Sequence, residues 1–400
     1  MNNRILWISP YAPYDTVGHA GGKTHNYYVK RMKAMGFDIE LLTLCCKREV
    51  KMLDLDQYQI NYVLEVVDGS DYKFYRVRNG LSILNPFQKY CRILLPSQHD
   101  KIMKMVKKFS DCSPKPDVVI LQWTMVIFML PQIRHFFPDS KYVAIEEDVT
   151  YLSFERKYRK AKVDKLYRKY LYKKMKKEEL KMLSMAELVI VNNNKDAKLL
   201  KSDGFSEDKI LVAAPYYDDY AKLKRDSGLK KDIIFWGSMK RIENEQSALW
   251  FIDNVMPILK DMDVRFVVVG SEPSARLRRR ENERIKIAGF VQDVSDYFIK
   301  GLCLAAPLQM GAGIKVKILE AFSAGIPVLT NDIGIEGIPA RDGKEYLHCE
   351  TPKEYALAIR RLHTDCGLER KLSQNARLLV EKEFNYHKKV VEMAEKIRTL

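Results

Sequence analysis

The chain is predicted to be an α/β protein of two successive doubly wound domains, each a parallel sheet wrapped by helices, facing each other across a central cleft. Three observations predict this. Its 400 residues exceed what one core usually organises. Short apolar runs alternate with helical stretches along the chain, the order that builds parallel sheets. A polar, densely charged stretch at 220–231 separates two such series and reads as a linker. The expected divisions are a first Rossmann-like domain at 1–219, the linker 220–231, a second at 232–382, and a helix at 383–400 that packs back on the first domain.

The elements follow in order. Residues 5–9 are a short apolar strand, and Gly18, Gly21 and Gly22 make a glycine loop behind it. A helix is expected over 24–35, closed by Gly36, then a strand over 37–44. Residues 116–121, 141–145, 187–191 and 209–213 are further buried-strand candidates. After the linker, strands are expected at 233–237, 264–270, 285–290, 302–307, 327–330 and 346–349. Helices fit at 245–260, 294–300, 316–324, 352–363, 367–382 and 385–399.

Composition narrows the class. There are 68 Lys and Arg against 52 Asp and Glu, a net charge of +16, which favours anionic partners. Seven cysteines without a C-x-x-C pair exclude a zinc ribbon or disulfide framework and point to reduced thiols in the cytoplasm. The longest apolar region, 118–131, is broken by Gln122 and falls short of the roughly 20 residues that span a bilayer.

Two glycine motifs are near misses. A P-loop ending in Gly22-Lys23-Thr24 would need glycine at Val17, and a dinucleotide fingerprint starting at Gly311 would need it at Val316. The first segment reads instead as a glycine loop whose backbone approaches an anion at Gly21 and Gly22, or as an ordinary βα turn. The second reads as a diphosphate site. A strand ends, glycines follow, and a helix opens with Lys315 and Lys317 at its N-terminus. Two cations there oppose the helix dipole and are suited by an anion. Glu320 lies one turn beyond Lys317, placed either to accept bonds from ribose hydroxyls or simply to pair with the lysine.

At these residues the chain resembles the GT-B glycosyltransferases, specifically the retaining family 4 group. The resemblance runs through 235–239, Asn244, 267–270, 288–291, Pro307, the long block 311–328 and 334–337. The first domain matches more loosely. The resemblance implies a second domain that binds a nucleotide sugar, UDP- or GDP-linked. Glu320 would hold the ribose, Gly313, Lys315 and Lys317 the phosphates, and Phe290 and Val291 the base. Gly237, Ser238 and Lys240 would line the donor, with Gly21 and Gly22 approaching the diphosphate from the first domain. Departures are visible. The family's first glutamate is Ala312, its frequent Arg is Ser238, its frequent Lys is Glu243, and its frequent His gives way to Glu146, Glu147 and Asp148.

The implied chemistry is transfer of a sugar, with retention, to a glycan or lipid-linked acceptor in the synthesis of cell-surface polysaccharide or glycolipid. Positive charge and a helix dipole can stabilise the leaving diphosphate without metal. No metal and no cofactor are therefore expected, despite the strings Asp54-x-Asp56 and Asp261-x-Asp263. Glu147 and Asp148 are the candidate catalytic residues on the acceptor face; the same pair also reads as solvated turn carboxylates. Residues 156–181 form a basic helical stretch in which Leu166, Tyr167, Tyr170, Leu171 and Met175 recur at helical spacing. It suits an anionic membrane surface, or it is a core-facing stripe under a solvated face. The expected location is cytoplasmic, peripheral on the inner face of the plasma membrane. Two other readings stand beside this one. One is a GT-B sugar-nucleotide epimerase or hydrolase. The other is a basic nucleic-acid-binding protein, disfavoured because no nucleic-acid module is recognisable.

Overall fold

The computed structural model describes residues 3–68, 94–225, 228, 230–311 and 313–400. The chain divides into two compact units, Met1–Tyr216 with Tyr386–Leu400, and Tyr217–Asn385. Cys91 and Ala312 lie outside the described residues; the six other cysteines are free thiols.

Unit 1 holds a seven-stranded parallel sheet of order β3-β2-β1-β4-β5-β6-β7. Its strands are β1 (Arg4–Ser9), β2 (Asp38–Cys46), β3 (Asn61–Val67), β4 (Val118–Gln122), β5 (Lys141–Glu146), β6 (Leu188–Val191) and β7 (Ile210–Val212). The central strands are buried on both faces, so they read as unbroken apolar runs rather than alternating ones. One face packs Leu6, Ile8 and Val119 against helices Pro96–Cys112 and Leu130–Phe136. The other packs Ile5, Trp7 and Ile120 against helices Ala20–Ala34 and Tyr386–Arg398. The C-terminal helix is fixed there by Val390, Met393 and Ile397, and by Arg398, which donates to the Met35 carbonyl at 2.7 Å.

Unit 2 holds a six-stranded parallel sheet of order β10-β9-β8-β11-β12-β13. These strands are β8 (Asp232–Trp236), β9 (Arg265–Val269), β10 (Ile285–Gly289), β11 (Gly301–Ala306), β12 (Val328–Thr330) and β13 (Leu347–His348). Residues of 220–231 pack within this unit: Arg225 donates to the carbonyl of Gly301 and to Glu369, both at 2.8 Å.

Several elements differ from the sequence reading. The helix expected at 24–35 begins at Ala20 and takes Gly21 and Gly22 into its first turn, because His19 caps it by accepting from the Gly22 N–H at 3.0 Å. The helix expected at 245–260 spans Ile242–Asn254; Pro257 lacks an N–H, and the chain continues as a 3₁₀ turn, Met256–Leu259. The apolar region 118–131 is a strand, a turn at Trp123 and a short helix, Thr124–Ile127. No helix among the described residues is long and apolar enough to cross a membrane.

The stripe expected on the basic helix, Lys165–Ser184, is only partly a core stripe. Met175 is buried and Leu171 half-buried, while Leu166, Tyr167 and Tyr170 are exposed. Helical periodicity turns Met175, Glu179 and Leu183 inward, where the preceding helix, Thr150–Lys160, packs on Met175 and Glu179, and Leu183 joins the core of unit 1. Tyr158 and Tyr172 stack across the hairpin with ring centroids 6.3 Å apart.

Candidate active site

Each sheet has one point where the strand order reverses, between β1 and β4 in unit 1 and between β8 and β11 in unit 2. Ligands of doubly wound folds bind beyond the carboxyl ends of the strands at such points. The chemistry-bearing residues of each unit gather there.

In unit 1, Glu147 follows β5 and is gripped by two amides. The Gln122 side chain at the end of β4 donates to Oε1 at 2.8 Å, and Asn192 after β6 donates to Oε2 at 2.8 Å. Burial pushes its carboxyl up to about 7, against the pull of the Asn192 and Gln122 bonds; Asp148 adds to the rise. A carboxyl poised there can take or give a proton near neutrality. Asp148 is half-buried beside it. Glu146 is buried, accepts from the Thr124 hydroxyl at 2.6 Å, and is held well above the usual carboxylate range by burial and then by Glu179.

Glu179 braces this loop from the long basic helix. It accepts the N–H of Thr150 at 2.7 Å and of Tyr151 at 2.8 Å, the orphan donors at the start of the helix after Asp148. Burial raises its carboxyl to about 8 despite those bonds.

Trp123 stands over the same edge with φ 69°, a region that costs a bulky residue about 1–3 kcal/mol and that collects at functional sites. Its ring lies edge-on to Tyr11 at 5.2 Å and to the buried His25 at 5.3 Å. Burial, and then His19, depress His25 to about 3, so it is neutral. Gly21 fits against this group: a Cβ there would lie 3.5 Å from Trp123 and 3.6 Å from Glu147. A Cβ on Gly22 would meet Val17 at 2.5 Å, so the need for glycine at 22 is set by packing.

In unit 2, Lys317 occupies the first turn of helix Val316–Ala324. Its ammonium bonds Asn244 Oδ1 at 2.7 Å and lies 4.9 Å from the Phe235 ring centroid. Burial, then Arg241 and Lys315, lower it to about 7, against Glu320 and Glu243, which pull it up. Lys315 pairs with Glu336 at 3.9 Å and donates to the Gly313 carbonyl. Glycines leave the room around them. A Cβ on Gly237 would sit 2.9 Å from the Lys317 ammonium, and one on Gly270 only 1.8 Å from the Gly237 carbonyl oxygen. Ser238 accepts through its carbonyl from Asn244 at 2.8 Å and through its hydroxyl from Ser271 at 3.1 Å. Glu320 is buried one turn along the helix and accepts from Trp236 Nε1 at 2.8 Å.

The structure thus brings together Gly237, Ser238, Lys317 and Glu320 around the end of β8, with Gly313 and Lys315 at the mouth of the helix. Lys240 points outward to Glu272 at 3.6 Å, both largely exposed. Phe290 is 76% exposed and Val291 half-buried, beyond β10 at the sheet edge. Gln122, Trp123, Asn192 and Trp236 escaped the sequence reading. The signal for Gln122 was one amide closing an apolar run; for Asn192 it was the Asn192–Asn194 run after a strand.

Possible metal ligands are of two kinds. Asp54 is engaged by Lys30 at 2.7 Å, Asp261 by Arg360 at 2.6 Å, and Asp263 by Lys231. Asp332, His348 and Glu350 bring ligand atoms within 4.8 Å of one another, two of them exposed.

Two parallel Rossmann-like sheets, each with one point of strand-order reversal, match the GT-B fold. Solved structures agree in fold. HepE (Alr3699) of Anabaena, determined with UDP, superposes with a TM-score of 0.69 at 14% identity, covering 99% of this chain and 100% of its own. Sucrose-phosphate synthase of Thermosynechococcus elongatus gives 0.71 at 13% identity, covering 99% and 98%. A glycosyltransferase of Rickettsia africae gives 0.65 at 15% identity, covering 100% and 99%. No curated protein sequence matches the chain. Residues 230–365 match the family Glycosyl transferases group 1. The matched residues lie within unit 2, and the protein is a glycosyltransferase.

Proposed function

We propose that the protein moves a sugar, with retention, from a UDP- or GDP-linked donor held by unit 2 to a glycan or lipid-linked acceptor held by unit 1, in the synthesis of cell-surface polysaccharide or glycolipid. The observation that carries this is the Lys317 ammonium. It is desolvated beside two other cations at a helix N-terminus, an arrangement relieved by a bound diphosphate. Lys315 and the helix dipole share the leaving-group charge, and Glu320 accepts from the ribose. Gly313 lets the backbone approach the phosphates, while Phe290 and Val291 bound the base. UDP bound to HepE supports a uridine nucleotide as the first donor to test. On the acceptor side Glu147 manages the proton of the attacking hydroxyl, with Asp148 beside it. Tyr11 and Trp123 offer ring faces for a sugar to stack against. The enzyme works at the inner face of the plasma membrane, drawn there by residues 156–181.

Calorimetry with UDP- and GDP-sugars tests the donor half. Binding of one series supports the reading, and no binding of either ends it. The anomeric configuration of the product, read by NMR, tests retention. Donor turnover or epimerisation without any acceptor would assign the fold to an epimerase or hydrolase instead. No metal has a part in this reading, so EDTA is expected to leave turnover within about twofold; loss restored by Mg²⁺ or Mn²⁺ would overturn that element.

A further inference from the structure

We infer that the tip of the helical hairpin 150–184 inserts apolar side chains into an anionic lipid surface. This deepens the acceptor half of the proposed function and rests on it. The hairpin is braced at its base and bare at its end. Met175 packs with Val149 and Tyr151, and Glu179 holds the backbone of Thr150 and Tyr151. Beyond the Tyr158–Tyr172 stack the chain turns, and there Val163 is 80% exposed, Leu166 84% and Tyr170 55%. Singly exposed apolar residues are ordinary, but a group of them on one projecting turn marks an interaction surface.

The charge around that group identifies the partner. Between 156 and 177 there are twelve Lys and Arg and one acid, Asp164. Arg168 takes Asp164 at 2.8 Å, and Arg159 pairs with Glu155 at 2.6 Å. Among the described residues no carboxylate lies in ion-pair range of Lys160, Lys162, Lys169 or Lys173. Leu166, Lys169, Tyr170 and Lys173 follow at spacings of three and four, so cations and apolar groups share one outward face. An apolar knob ringed by lysines fits the boundary of an anionic bilayer. The knob enters the acyl region, the ammonium groups stay with headgroup phosphates, and Tyr170 keeps its hydroxyl wet. A polyanionic nucleic acid would meet the lysines but gain nothing from Val163 and Leu166. A second copy of the tip would bring like charges together.

Co-sedimentation with phosphatidylcholine vesicles, with and without phosphatidylglycerol, tests this at about 0.1 M and about 1 M salt, where the Debye length falls from ~10 to ~3 Å. The full-length protein is expected to bind the anionic vesicles and to keep a residual affinity at high salt. The triple variant Val163→Gln, Leu166→Gln, Tyr170→Gln is expected to bind at least about tenfold more weakly at both salts, because three apolar groups leave the acyl boundary. Its thermal midpoint should not move, since all three side chains are exposed. Reversal of Lys162, Lys169 and Lys173 to Glu is expected to remove the low-salt binding. The inference is overturned if the triple variant binds as the parent does, or if the parent ignores anionic vesicles. It also falls if light scattering shows a parent oligomer that the triple variant dissolves, which would make the tip a self-association face. UDP calorimetry on the same samples separates the two proposals: vesicle binding without nucleotide binding removes the donor half of the proposed function and leaves the acceptor half, on which the tip assignment rests.

Discussion

Glu147 in unit 1 and Lys317 in unit 2 are opposite charges treated the same way. Both stand at the reversal point of a parallel sheet, and both are brought to about 7 by burial, the acid from below and the base from above. Their partners differ. Glu147 is held by two neutral amides, which donate to the anion and leave it no net charge to lean on. Lys317 has one amide oxygen, two neighbouring cations, Arg241 and Lys315, and the opposing carboxylates of Glu320 and Glu243. The first site can exchange a proton; in the second, desolvation and like charge outweigh the opposing pull of Glu320 and Glu243, and a bound anion would favour the charged lysine. Under the proposed function the same desolvation would serve acid–base chemistry in one unit and anion capture in the other.

Breaking the first site should cost most. Glu147→Gln keeps the shape but removes the proton exchange, and kcat is expected to fall about 10²–10⁴-fold with donor affinity unchanged. The sign of the pH profile sharpens the assignment. Glu147 ionises as pH rises through about 7, so a base role gives a kcat that climbs through that region, a limb the variant should lack. A parental kcat in the variant would move the catalysis elsewhere.

In unit 2, replacing both Lys315 and Lys317 by Ala is expected to weaken UDP binding about 10–100-fold, the scale of one or two lost charge-assisted hydrogen bonds. Lys317 carries its charge below about 7, and a bound diphosphate favours the charged form. UDP affinity should thus decline as pH rises above 7, with proton uptake visible when calorimetry is repeated in buffers of different ionisation enthalpy. Unchanged affinity in the double variant would place the phosphates elsewhere. Glu320→Gln should have the smallest effect, about 3–10-fold on UDP affinity, because the amide oxygen can still accept from Trp236 and only the ribose bond weakens. Equal affinity for variant and parent would leave Glu320 as a structural partner of Trp236.

Much of the second site could be read from the sequence because its parts are local. Gly313, Lys315, Lys317 and Glu320 fall within eight residues, and strand, glycine and helix follow one another in order. The cradle of Glu147 could not, since Gln122 and Asn192 come from the ends of β4 and β6 and meet only when three strands lie side by side. Trp236 on Glu320 was hidden for the same reason, its 84-residue separation closed by the sheet. The early start of the first helix was missed because glycines read as loop and histidine is an unusual cap. The four-residue spacing of Tyr167, Leu171 and Met175 showed a helix but not which face would be covered, which depends on where its partner helix lies.

The Glu179 brace gives the hairpin a further property. Leu166 near one end of the helix and Glu179 near the other are about 20 Å apart at ~1.5 Å of rise per residue. One end is the inferred membrane tip, and the other fixes the backbone of Thr150 and Tyr151 just after Asp148. With the tip seated in a bilayer, the helix is a rigid measuring rod between the lipid surface and Glu147. It sets an upper limit of about 20 Å on how far a hydroxyl must stand from its lipid anchor to be used. Moving Glu179 one turn along the helix, with its contacts preserved, would then change the length of glycan accepted and not its chemistry.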